Sequence, residues 1–174
     1  TPVVLGESPF FQGQTAMQDA PLAGDKLPLL MLSHGAGLGG NAQALSWLAV
    51  SLARQGFVVA APTHPGNSGP HRSAAQTMQL WLRPADMAAA LSALENDRLF
   101  AARLDITKVG VLGLSMGGYT ALAMAGVRID PQRLARYCDT DERNPSLCQW
   151  VRKSGVDLHA MDMRDAARDY ADPR

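Results

Sequence analysis

Residues 108–118, KVGVLGLSMGG, decide the fold of this 174-residue chain. An apolar run of β-type residues leads directly into the pentapeptide GLSMG at residues 113–117, and a helix-favouring segment follows it. A tight turn between such a strand and helix strains the backbone of Ser115. It also brings the two elements so close that side chains at Gly113 and Gly117 would clash. The pattern therefore predicts a buried strand, a turn that exposes Ser115, and a helix.

Two apolar runs upstream alternate with helical patterns. The runs at residues 27–33 (LPLLMLS) and 57–61 (FVVAA) are short and nearly continuous, which is typical of strands covered on both faces. Helices are predicted at residues 41–55, 84–96 and 119–126, and residues 1–26 are expected to form an extended lead-in. Strands and helices that alternate at this spacing predict an α/β fold, with a parallel sheet, right-handed crossovers and flanking helices.

Residues 130–174 differ in character from the rest, because they are charged and contain no convincing strand. This segment is predicted to form short helices. Since it directly follows the helix after Ser115, we expect residues 1–129 to form the core and residues 130–174 to form an insertion or lid over the site. A solvated helical tail is the alternative.

The composition limits the classes of partner. The formal net charge is zero, which argues against nucleic acid or an anionic membrane as the main partner. Gly35, Gly37 and Gly40 follow a predicted strand in the G-x-G-x-x-G pattern of dinucleotide sites. That fingerprint needs an acidic residue about 20 positions later to hold the ribose, and no Asp or Glu occurs between residues 26 and 85. Dinucleotide binding is therefore not expected.

Cys138 and Cys148 are the only cysteines in the chain. They belong to no CxxC pair and to no plausible metal set, so no metal site is expected. A disulfide between them would close a short loop, and it would favour a periplasmic or secreted protein over a cytoplasmic one. The disulfide is favoured, but two buried free thiols are the alternative, which leaves the compartment open.

Ser115 is the candidate nucleophile, and its surroundings supply part of the chemistry that it needs. A serine hydroxyl is a poor nucleophile until a base takes its proton. Acyl transfer also needs hydrogen-bond donors aimed at the developing oxyanion. The backbone N–H of Met116 is one candidate donor, because it follows the nucleophile. The second is the N–H of Ala36, in the glycine-rich loop of Gly35 and Gly37 at the end of an earlier strand.

None of the four histidines is a convincing base for Ser115. His34 is expected to brace the glycine loop and to line the pocket, and His64 to line the pocket at the end of the next strand. His71 lies in a polar loop and is expected to be solvated. His159 is the only histidine after Ser115, yet no strand lies between them to carry the acid that the chain order Ser–acid–His requires. The sequence thus predicts a nucleophile and an oxyanion hole without a base.

Four motifs in order carry a resemblance to a known family. They are SHGAGLGGN (33–41), FVVAAPTHPGNSG (57–69), RPADMAAALSAL (83–94) and GVLGLSMGGYTALA (110–123). Together they resemble the dienelactone-hydrolase-like branch of the α/β-hydrolases, and they are most similar to bacterial dienelactone hydrolases related to platelet-activating-factor acetylhydrolases. The resemblance implies a partial α/β-hydrolase fold and a serine esterase that cleaves short or soluble acyl esters without a cofactor. It assigns Ser115 as the nucleophile on the strand-to-helix turn, which is called the nucleophile elbow in this family. The backbone N–H groups of Ala36 and Met116 are assigned as the oxyanion donors.

The resemblance also implies that the chain is an internal fragment of a larger hydrolase. In such enzymes the acid follows a strand after the insertion, and the histidine comes later still. The acid and the histidine are therefore expected on further polypeptide that also completes the sheet, and the 174 residues alone are expected to be inactive. The alternatives are a non-catalytic α/β module for binding or assembly, and an acyltransferase or thioesterase that uses the same site.

Overall fold

The computed structural model describes residues 1–9, 11–37, 40–67 and 72–171. Among these residues the centre of the fold is a three-stranded parallel sheet in the order β4–β3–β5, flanked by helices. The predicted α/β fold class is thereby confirmed. In chain order the elements are β1 (Pro2–Leu5), β2 (Gln14–Met17), β3 (Leu27–Ser33), a 3-10 helix (Ala42–Leu45), α1 (Ser46–Arg54), β4 (Val58–Ala60), α2 (Ala74–Met78), α3 (Leu82–Asn96), α4 (Arg98–Ala101), β5 (Leu104–Gly113), α5 (Met116–Met124), α6 (Pro131–Ala135) and α7 (Pro145–Lys153).

The core forms around the central strand β3. Leu29 and Met31 of β3 are fully buried, and Met87 from α3 packs into the same cluster together with Val58 and Leu104 from the neighbouring strands. A strand with a neighbour on each side and helices packed against it must be apolar along most of its length. The near-continuous apolar run of β3 is explained by this position.

The register of the sheet determines where the functional residues lie. Leu32 is paired with Leu112, and Ser33 with Gly113, so β3 and β5 end at the same level. The loop after β3 and the turn after β5 therefore leave the carboxyl edge of the sheet side by side. This is the edge at which open α/β sheets bind their ligands.

The N-terminal segment and the first helix differ from expectation. β1 and β2 form an antiparallel pair, so the expected extended lead-in over residues 1–26 is wrong in part. Strands of four residues are too short for their alternation to be recognised in sequence. The side chain of Asn41 caps the 3-10 helix by accepting a hydrogen bond from the N–H of Ala44, and α1 begins only at Ser46.

The segment after residue 129 is helical and packs beside α2. It contains α6 and α7, and a disulfide joins Cys138 to Cys148 of α7. Val151 of α7 and Leu158 are buried against Met78 of α2. This packing attaches α7 to the carboxyl side of the sheet. Of the helices in the described residues, none has the length and apolar character that a membrane span requires.

The disulfide is expected to stabilise the folded protein by about 2.8 kcal/mol, because a bridge over ten residues removes loop entropy from the unfolded chain. A reducing agent should therefore lower the urea midpoint of the wild-type protein. The double variant Cys138→Ser, Cys148→Ser should show the lower midpoint without reductant, and reductant should change it no further. An equal midpoint for the oxidised wild type and the double variant would show that the bridge contributes nothing.

Candidate active site

Ser115 has an unusual backbone conformation. It lies between the end of β5 at Gly113 and the start of α5 at Met116, with φ of 56° and ψ of −119°. A side-chain-bearing residue in such a region costs about 1–3 kcal/mol, which the surrounding packing has to offset. The strain turns the chain abruptly from strand to helix and leaves Ser115 exposed to solvent.

The glycines around Ser115 are required by direct backbone contacts. A Cβ atom on Gly113 would lie 1.9 Å from the carbonyl oxygen of Gly117, and a Cβ on Gly117 would lie 1.9 Å from the carbonyl oxygen of Ser33. Neither position can hold a side chain unless the backbone moves. The turn therefore packs in direct backbone contact with the end of β5 and with the end of β3.

The loop after β3 lies directly against this turn. A Cβ on Gly35 would lie 3.3 Å from the Cβ of Ser115, so the two segments are already in close contact. Gly37 adopts a φ of 72°, which glycine tolerates and other residues rarely do. Within the described residues, no hydrogen bond uses the backbone N–H of Ala36 or of Met116. Both N–H groups are free to donate to a ligand.

A cavity of about 610 Å³ opens beside these N–H groups. It is lined by the loop after β3, by Met116 at the start of α5, by residues near α2 and by α7. Among the described residues that line it, Arg72 is the one cationic side chain and no side chain is acidic. The lining residues are Ala36, Gly37, Arg72, Ala74, Thr77, Met116, Ser146, Leu147 and Trp150.

His34 is fully buried beneath the loop and is electrically neutral. Its Nε2 accepts a hydrogen bond from the backbone N–H of His64 at 3.0 Å, so the ring proton is on Nδ1, which donates to the carbonyl oxygen of Gly35 at 2.6 Å. Burial lowers the pKa of His34 to about 4, and the nearby charge of Arg83 acts in the same direction. The ring links the loop after β3 to the loop after β4.

His64 forms a hydrogen-bonded chain with Ser33 and Asp86. Its Nδ1 lies 2.8 Å from Asp86 Oδ2, and its Nε2 lies 2.8 Å from Ser33 Oγ. Burial lowers the pKa of His64 even though the bond to Asp86 opposes that shift. The neutral ring donates a hydrogen bond from Nδ1 to the carboxylate and accepts one at Nε2 from the Ser33 hydroxyl. Since Ser33 is fully buried, its hydroxyl cannot meet a substrate.

The expectation that His34 and His64 line the pocket is wrong. Both rings are at most 1% exposed, and neither contacts the cavity. Their nitrogens are used in the buried hydrogen bonds that join β3 to the loops beside it. Both histidines lie in a hydrogen-bonded layer below the cavity.

His159 is not a base for Ser115 within the described residues, because its ring is bonded elsewhere. His159 is exposed and forms a hydrogen bond with Asp139 at 2.8 Å. The expected solvated position of His71 lies outside the described residues. Of the residues that the structure describes, none is hydrogen-bonded to the hydroxyl of Ser115, and none belongs to a cluster of three or more potential metal ligands.

Asp86 and Arg83 belong to the hydrogen-bonded layer below the candidate site, and no sequence pattern predicted a role for them. The sequence does contain an indication of their pairing with buried groups. Asp86 is the first acidic residue after Asp25, and it lies one helical turn from Arg83. An acid that ends so long a stretch without carboxylates is a candidate partner for a buried histidine. Nothing in the sequence, however, shows that α3 packs under β3.

Folding stability is expected to fall as the pH is lowered from about 6.5 to about 4. Unfolded His34 takes up a proton near pH 6.5, whereas the folded ring stays neutral down to about pH 4, so the unfolded state binds more protons in this range. The loss for His34 alone is roughly 3 kcal/mol, and His64 adds to it in the same direction.

Urea unfolding at several pH values would measure this slope, and His34→Gln should flatten it. A free energy of unfolding that is constant between pH 7 and pH 4 would contradict the assignment of two neutral, buried rings.

In a comparison with protein-family models, residues 29–174 match the model described as the alpha/beta hydrolase family. The matched range begins within β3 and includes the loop after it, β5, the turn at Ser115 and the segment that carries α7. No curated protein and no solved structure matches the chain significantly.

Proposed function

The chain belongs to the alpha/beta hydrolase family, and from this hydrolase framework we propose that it is a serine hydrolase that cleaves carboxylic esters through an acyl-enzyme at Ser115. One observation carries the proposal. Ser115 is an exposed serine held at positive φ on a strand-to-helix turn, at the carboxyl edge of a parallel sheet. A fold does not retain such strain on a side-chain-bearing residue unless the packing requires that geometry, and nucleophilic serines in this fold family use it.

The contacts around Ser115 support the proposed chemistry. Its Oγ attacks the ester carbonyl carbon, and its proton passes to a base. The carbonyl oxygen becomes an oxyanion that accepts hydrogen bonds from the N–H groups of Ala36 and Met116. The C–O bond to the alcohol then breaks, and the alcohol leaves with the proton from the base. Water attacks the acyl-enzyme in a second, equivalent cycle and releases the acid.

We place the base and the acid of this reaction on further polypeptide that completes the sheet beside β5. β5 is an edge strand of the described sheet, and Leu112 and Leu114 near its end are 40% and 58% exposed. A strand added at this edge would cover both leucines and would end next to Ser115. The His64–Asp86 pair does not fill the role, because the Nε2 atom of His64 is already hydrogen-bonded to the buried hydroxyl of Ser33.

The cavity and the C-terminal segment support a dienelactone-hydrolase-like esterase of short or soluble acyl esters. The volume of about 610 Å³ suits a small ester, and the walls are mainly apolar apart from Arg72, Thr77 and Ser146. Residues 130–174 act as a lid in this proposal, since Leu147 and Trp150 of α7 line the same cavity as Ala36 and Met116.

A fluorophosphonate tests the proposal directly, because it phosphonylates only a serine that is activated as a nucleophile. The intact native protein should gain the mass of one phosphonyl group, and peptide mapping should locate it on Ser115. Prior incubation with an excess of a short-chain ester should slow the labelling. The absence of labelling in native protein, or labelling at another serine, would contradict the proposed function.

A further inference from the structure

Arg83 is a buried cation held almost entirely by neutral acceptors. Only 2% of it is exposed, and its guanidinium donates to Thr120 Oγ1 at 3.1 Å, to Asn67 Oδ1 at 3.0 Å and to Ser33 Oγ at 3.3 Å. It also donates to the carbonyl oxygen of His34. Burial lowers the pKa of Arg83 to about 10, so the group remains charged at neutral pH. Burying a charge in this way is costly unless its hydrogen bonds are satisfied.

These bonds join the two segments that supply the free N–H groups. On one side Arg83 binds the carbonyl of His34, two residues before Ala36. On the other side it binds Thr120, whose hydroxyl in turn donates to the carbonyl of Met116 at 3.2 Å. One rigid group therefore contacts the loop after β3 and, through one hydroxyl, the first turn of α5.

We infer that Arg83 is a positioning residue that fixes the separation of the Ala36 and Met116 N–H groups, an inference that rests on the proposed function. An oxyanion hole works only when both donors lie about 2.7–3.1 Å from the oxyanion, so small displacements weaken it. The planar guanidinium holds its donors in a fixed fork, which a flexible lysine cannot reproduce. Arg83 does not reach the cavity, so it acts through the two segments that it holds and not on the substrate.

Thr120→Val tests the inference with little change of shape. Valine keeps the volume of the fully buried Thr120 but removes the hydroxyl that links Arg83 to Met116. In the intact native protein we expect kcat for a p-nitrophenyl ester to fall by about 10- to 100-fold, with KM nearly unchanged. Thr120→Ser keeps the hydroxyl and should restore most of kcat.

Two further variants separate positioning from a loss of stability. Arg83→Lys keeps the positive charge but loses the planar set of guanidinium donors, so it should also lower kcat. It replaces Thr120→Val as the test if that variant does not fold. Leu104→Ala opens a cavity at the far end of β5, so it should lower the urea midpoint but leave kcat unchanged at temperatures where the protein is folded.

Phosphonylation of Ser115 and the kcat of Leu104→Ala together distinguish three ways in which the inference can fail. Wild-type kcat in folded Thr120→Val or Arg83→Lys, with Ser115 still labelled, would overturn the role of Arg83 alone. A wild-type protein that is not labelled at Ser115 would overturn the proposed function and this inference with it. A fall in kcat as large in Leu104→Ala as in Thr120→Val would show that Arg83 only stabilises the fold.

Discussion

Ser115→Ala is expected to lower kcat for a p-nitrophenyl ester by at least roughly 10⁴-fold in the intact native protein, because it removes the atom that forms the acyl-enzyme. The fold should be unaffected, since Ser115 Oγ has no hydrogen-bond partner among the described residues. Steady-state kinetics and fluorophosphonate labelling would both report the loss. Far-ultraviolet circular dichroism and the urea midpoint should match those of the wild type.

Ser33→Ala is the matched control, because Ser33 is the serine that the structure places next to a histidine and an acid. Its hydroxyl is fully buried and is bonded to His64 and Arg83, so it is expected to contribute to stability and not to nucleophilic attack. The variant should lose about 1–2 kcal/mol of unfolding free energy and should still be phosphonylated at Ser115. Loss of labelling in Ser33→Ala together with normal labelling in Ser115→Ala would reverse the assignment of the nucleophile.

The parts of the site that could be predicted from sequence are those formed by short stretches of chain. The turn at Ser115 depends on two glycines within two residues of it. A Cβ atom at either glycine would lie only 1.9 Å from a carbonyl oxygen, which explains why this spacing can be recognised in the sequence. The strand β3 could also be predicted from its apolar run, because a strand buried on both faces must be apolar. The same argument located the loop that carries Ala36 at the end of that strand.

The parts that could not be predicted depend on contacts between distant residues. Ser33 meets His64 across 31 positions, and Arg83 meets the carbonyl of His34 across 49. Each of these residues has an ordinary explanation in sequence: a histidine after a strand, or an arginine at the start of a helix. Only the packing of α3 beneath β3 shows that their polar groups satisfy one another, which is why His64 was expected in the pocket and is found below it.

Gly117→Ala is expected to damage both folding and activity, because the new Cβ would lie 1.9 Å from the carbonyl oxygen of Ser33. No rotamer can relieve a clash between a Cβ and the main chain, so the end of β3 or the start of α5 must move. We expect the free energy of unfolding to fall by at least about 3 kcal/mol. The movement should also slow phosphonylation of Ser115 by about 100-fold or more, since Ser33 precedes the loop that carries Ala36.

Gly118→Ala is the control for this prediction, one residue further along α5. A Cβ at Gly118 would meet only the carbonyl oxygen of Gly113 at 3.7 Å, an ordinary contact. Inside a helix, alanine is favoured over glycine by about 0.5–1 kcal/mol, so this variant should be as stable as the wild type or slightly more stable. Urea unfolding and the labelling rate of both variants would be compared. If Gly117→Ala behaved like Gly118→Ala, the close packing of the turn against β3 would not be what holds Ser115 in its strained conformation.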